Sequence, residues 1–104
     1  MIDEKKAFAA EQWIYDNIDN IAQSRSDKVK AEEMLRVVKS EIILATEGSV
    51  AQREATAFAS PQYRQALENY AEAVRVESQF YTKLKAAETR IDMFRSINAN
   101  LRRN

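Results

Sequence analysis

The sequence predicts an all-α fold: an elongated antiparallel helical hairpin, two long helices joined by a short helix and turn at about 48–60, assembling into a multi-helix bundle. Three observations carry this. One Gly and one Pro in 104 residues, with Ala and straight-chain side chains dominant, is the composition of a chain that loses little on entering a helix. From Pro61 to Leu101 the apolar residues recur at helical spacing with no further Gly or Pro. The breakers Gly48 and Pro61 lie close together between two periodic stretches, so the helices on either side fold back on each other. A straight helix of forty residues would be roughly 60 Å long, longer than a compact domain of this size is wide. The expectation is one helical domain over 1–104, with helices at about 3–47, 50–59 and 61–101.

The first helix can be capped by Asp3, and Phe8, Trp13, Ile14, Ile18 and Ile21 follow at helical spacing. Ser24 and Asp27 form a second start signal in a polar stretch. Nothing there forbids a helix, so a continuous or slightly kinked one is expected. From Ala31 onward Ala31, Leu35, Val38, Ile42 and Ala45 step by four and three, a heptad seam. Met34, Val37, Ile43 and Leu44 widen it beyond what one partner helix covers, which predicts self-association.

Gly48 is expected to stop this helix by taking the left-handed C′ conformation. Ser49 with Gln52 makes a capping box for a short helix, and Ser60-Pro61 places a hydroxyl at the N-cap and proline at N1 of the last one. In that last helix Tyr63, Leu67, Tyr70 and Val74 form one seam; Phe80, Leu84, Ala87, Ile91 and Phe94 form another. The stripe rotates between the two by more than supercoiling absorbs, which predicts a change of partner along the helix. Leu35, Val38 and Ile42 are expected to meet Leu84, Ile91 and Phe94 in one antiparallel interface.

Sixteen basic and sixteen acidic residues cancel, so no overall field draws the chain to nucleic acid or membrane. The distribution is uneven. Residues 1–24 carry a net of −3, whereas 83–104 carry +4 through Lys83, Lys85, Arg90, Arg95, Arg102 and Arg103. A hairpin sets the acidic start against the basic finish.

Catalysis has little to work with. The chain has no His and no Cys, which removes the usual general base, the thiolate nucleophile and the soft metal ligands. A single Gly rules out a phosphate-cradling loop. All-helical pyrophosphohydrolases hold Mg²⁺ with paired carboxylates at i, i+3, but here only Asp16 and Asp19 have that spacing beyond the first residues. No catalytic, metal or cofactor residue is assigned. The six basic residues near the end, interleaved with Tyr81 and Phe94, are candidates for nucleic-acid contact. On a helical wheel Lys83 and Arg90 flank one side of the seam and Arg95 and Arg102 the other, while Lys85 and Arg103 point away, the pattern of seam-flanking charge. The cysteine-free composition and a start too charged for a signal peptide fit the cytoplasm, with no membrane partner.

The stretches Gly48-Ser49-Val50-Ala51 with Arg53-Glu54, Ser60-Pro61-Gln62-Tyr63-Arg64, Leu84-Lys85-Ala86-Ala87-Glu88, and Met93-Phe94-Arg95-Ser96 with Asn98-Ala99-Asn100 resemble small all-helical proteins of temperate bacteriophages and prophages, mostly of unassigned function. The resemblance spans residues 48–101. It implies a bacterial cytoplasm and an accessory role, with a phage or host protein as partner, and it transfers no catalytic or binding residue. The expected function is a non-enzymatic, self-associating accessory or adaptor protein, the alternative an accessory nucleic-acid-binding protein of phage recombination or replication.

Overall fold

The computed structural model describes residues 4–103, Arg103 by its backbone alone. The expected cap at Asp3 and the side chain of Arg103 lie outside the described residues. Three helices follow in order, α1 (Glu4–Ala45), α2 (Val50–Ala59) and α3 (Pro61–Arg103), and no strand occurs among the described residues. The fold is the all-α hairpin that the composition dictates. Contacts divide it into a terminal unit, Met1–Gln23 with Ser78–Asn104, and an elbow unit, Ser24–Glu77.

In the terminal unit α1 packs on α3 through small side chains. Ala10, Ala87 and Ile91 form its buried cluster, with Trp13 and Ile14 against them. Along α1 the covered positions are Ala7, Ala10, Ile14, Asn17 and Ile21, and along α3 Phe80, Leu84, Ala87, Ile91 and Phe94, each spaced alternately three and four. Asn17 is accommodated because its amide donates to the Trp13 carbonyl at 2.9 Å. Arg95 lies 3.6 Å from Glu11, so the acidic start does meet the basic finish.

In the elbow unit the covered positions that keep this spacing are Ser24, Lys28, Ala31, Leu35, Val38 and Ile42 on α1 and Tyr63, Ala66, Tyr70, Ala73 and Glu77 on α3. Lys28 Nζ stands 3.8 Å from Glu77 Oε2 between the two helices. Ser24 does not interrupt α1; it is 3% exposed and faces inward.

Three expectations are corrected here. Ile91 packs on Ala10, Trp13 and Ile14, whereas Leu35, Val38 and Ile42 belong to the elbow unit. Leu84 and Phe94 belong with Ile91 to the terminal unit, not to the unit of Leu35, Val38 and Ile42, because folding back at 46–60 sets the start of α3 against the end of α1. Leu67 leaves the seam and is 44% exposed, with Ala66 buried in its place. And α3 keeps α1 as its neighbour in both units, since Ala73 and Glu77 continue the spacing where hydrophobicity shows a rotation.

The elbow is closely tied. α1 ends at Ala45, three residues before Gly48 and one residue earlier than a C′ glycine implies. At this end, only two residues short of the expected 47, the Thr46 N–H turns back to the Ile43 carbonyl at 3.3 Å and its hydroxyl donates to the Ile42 carbonyl at 2.6 Å, occupying acceptors the helix leaves free. Gly48 is needed one step later, at φ +120°. The capping box is complete: Gln52 N–H donates to Ser49 Oγ at 3.2 Å, and Ser49 N–H donates to Gln52 Oε1 at 2.9 Å. Ser60 closes α2 by donating to the Ala57 carbonyl at 2.7 Å and opens α3 by accepting from the Tyr63 N–H at 3.1 Å. Ala57 is wholly buried. Next to it, Phe58 holds Lys39 Nζ over its ring at 4.4 Å and meets Tyr63 edge-on at 5.2 Å.

Gly48→Ala is expected to destabilise the elbow by about 1–2 kcal/mol. A Cβ there would lie 2.7 Å from Gln52 Oε1, the oxygen that caps Ser49, and the positive φ strains any L side chain. Urea titration measures the loss, and Gln52→Ala in the glycine background isolates the share due to the cap.

Candidate interaction surface

Several carboxylates have partners on their own solvated helix face. Glu33 pairs with Arg36, Glu72 with Arg75 and Glu88 with Lys85, each one turn apart, and Asp16 accepts from the Gln12 amide at 2.8 Å. The hydrogen bond from Arg75 holds the Glu72 carboxyl below its ordinary range. That contribution is present above the ordinary carboxylate pKa and fades as pH falls through the lowered one. The pair is exposed, so solvent screens it. Among the described residues no three acidic side chains gather where a metal would be held.

What the structure offers instead is uncovered apolar surface. Among the described residues no large side chain is fully buried, and the buried apolar ones are Ala7, Ala10, Ala57, Ala66 and Ala87 with Ile21 and Ile91. In the elbow unit a groove of about 670 Å³ runs between α1 and α3, with Ala31, Val38 and Ala66 in its lining and Lys30, Met34 and Pro61 beside them. Past Met34 the surface continues along α1 through Val37 to Leu44, 87% exposed. Ile43, which the sequence groups with them, is half covered.

The terminal unit has a smaller groove of about 360 Å³, where Trp13 lies among Ala9, Ala86, Lys83 and Arg90. The consecutive residues Trp13, Ile14 and Tyr15 of α1 divide between two faces. Trp13 and Ile14 pack on the core, while Tyr15, 75% exposed, joins Phe8 and Ile18 on an outer stripe.

Of the expected interface residues, Leu35, Val38, Ile42, Tyr63, Tyr70, Val74, Leu84 and Phe94 are half-buried and Ile91 is buried. The basic set is not brought together. Lys85 reaches Glu88 at 3.4 Å and stands 5.4 Å over Tyr81; Arg95 turns to Glu11; Arg102 is exposed. Lys83 and Arg90 share a surface, beside Trp13. The residues that reading the sequence missed are the small and polar ones of the seam, Ala7, Ala10, Asn17, Ser24, Lys28, Ala66 and Glu77, which carry no hydrophobic signal.

No described helix is long and apolar enough to cross a membrane. Compared with protein-family models, curated proteins and solved structures, the chain has no match.

Proposed function

We propose that this chain is a non-enzymatic, self-associating helical protein whose hairpins join as a multi-helix coiled-coil bundle and act as an accessory or adaptor factor. The observation that supports it is the inversion of the usual burial. Alanines fill the core while Phe8, Tyr15, Val29, Leu44 and Leu101 stay more than half exposed. Each large apolar side chain left in water forgoes about 1.5–3 kcal/mol of burial, and a chain of this size has little to spare. Covering these faces with further copies recovers it. The setting is a bacterial cytoplasm and the wider role that of a phage-type accessory protein acting on a phage or host protein, a reading that rests on the stretches of residues 48–101 named above.

Light scattering tests this, on a sample also titrated with short DNA at low salt. A defined oligomer that leaves the DNA unshifted is the expected result. A monomer at every concentration overturns the proposal. The second reading, nucleic-acid binding, is favoured by Trp13 beside Lys83 and Arg90. It requires a mobility shift that weakens steeply with salt and is reduced by Arg90→Ala.

A further inference from the structure

We infer that the outer face of α1 in the elbow unit, centred on Met34 and Val37, is a two-fold self-association surface that takes the same face of a second copy running antiparallel. This rests on the self-association proposed above and names its surface.

The face consists of Asp27, Lys30, Met34, Val37, Glu41 and Leu44, all exposed and spaced three, four, three, four, three. That is the spacing of a second helical seam, beside the one that α3 covers. Its order is complementary to its own reverse. When a second α1 is laid antiparallel, one register sets Met34 against Val37 of the second copy, and Lys30 against Glu41 of the second copy. The two-fold axis repeats both contacts, so two apolar contacts are bracketed by two ion pairs. The ends, where Asp27 meets Leu44, lie at the rim.

Other alignments of this face lose that match. Centring the axis on Met34 sets Asp27 against Glu41. Centring it on Val37 sets Lys30 against Leu44. Running the helices parallel in register faces Lys30 with Lys30 and Glu41 with Glu41. Opposite charges facing each other across the seam favour one register and one partner, and like charges there oppose association.

Two facts favour a second copy over an unrelated helix. Lys30 and Glu41 have no ion-pair partner among the described residues, although neighbouring charges such as Glu33 and Arg36 are paired. The groove beside Met34 is open and apolar, giving the incoming side chains room to sink toward Ala31 and Ala66. A contact of this length is at the small end of specific interfaces, so association in the micromolar range is expected.

Charge reversal tests the surface without touching the core. Lys30→Glu and Glu41→Lys each create two repulsive contacts by symmetry. Each should weaken association by about tenfold or more, with helicity unchanged by circular dichroism. Mixing the two single variants should regain the wild-type affinity, because every facing pair is then opposite in sign, and the double variant should regain it alone. Sedimentation over a concentration series reads all four samples. An oligomer indifferent to both reversals overturns this surface and leaves self-association standing. Weakening without recovery on mixing overturns the antiparallel register. A wild-type chain that stays monomeric overturns self-association itself.

Discussion

Ile91→Asp is expected to unfold the terminal unit. Ile91 is 8% exposed and packs against Ala10 and Ala87, with Trp13 and Ile14 on the same cluster. An aspartate there forfeits the burial of the isoleucine, about 1.5–3 kcal/mol, and brings in a carboxylate with no cation in the cluster to pair with it. The sum, roughly 4 kcal/mol or more, is a large part of the about 5–15 kcal/mol that holds a domain folded. Trp13 is the only tryptophan, so its fluorescence reports on this cluster directly. Emission should shift to that of solvated indole, with a partial loss of helical ellipticity. Ile91→Val, which keeps the shape and loses one methyl group, should cost only about 0.5–1.5 kcal/mol. Native emission from Ile91→Asp would place Trp13 and Ile91 apart and refute the packing of α1 on α3 in this unit.

Which helices form was legible because the signals are local. A Gly- and Pro-poor chain with a Ser49–Gln52 capping box and a Ser60-Pro61 start has few other conformations open to it, and the bounds of α2 and the start of α3 follow. The apolar face of Met34, Val37 and Leu44 was also legible, since large side chains at helical spacing announce themselves.

The contact seam was legible only in part, for a geometric reason. Where two helices approach closely, the favoured residue is small, and interaxial distance is set by the side chains at the contact. Ala10 against Ala87, and Ala66 rather than Leu67, are positions that a hydrophobicity reading passes over in favour of Phe8, Ile18 and Leu67, which the structure leaves exposed. The end of α1 was misplaced because Thr46 can satisfy the last carbonyls with its own N–H and hydroxyl, so the chain leaves the helix before it reaches the glycine. Among the basic residues the wheel was right to separate Lys83 and Arg90 from Arg95, since the first two line one groove and the third turns to Glu11. A sum over residues 83–104 shows only that they are basic.

Lys28→Ile combined with Glu77→Leu is expected to stabilise the elbow unit by about 1–3 kcal/mol. The two charges occupy seam positions with side chains 38% and 18% exposed, and at 3.8 Å they are too far apart for a hydrogen bond. Such a pair loses part of its hydration on folding and recovers only a weak Coulomb attraction, whereas two well-packed aliphatic side chains lose nothing polar. Either single change should lower stability relative to the double variant, most clearly Lys28→Ile, which leaves the better-covered Glu77 without its cation. Thermal and urea melts of the four proteins form a double-mutant cycle that isolates the coupling. If the double variant were instead less stable than wild type, the pair would have to be a net attraction and the seam geometry tighter than 3.8 Å implies. The gain in stability should carry a loss of specificity. Ser24, Lys28 and Glu77 are the polar marks in a seam otherwise filled by Ala and aliphatic or aromatic residues, and a polar residue at such a position fixes register at a cost in stability. With Lys28 and Glu77 gone, α3 can slide against α1 by a heptad at less penalty. The double variant should therefore melt higher and yet give a broader sedimentation profile than the wild type.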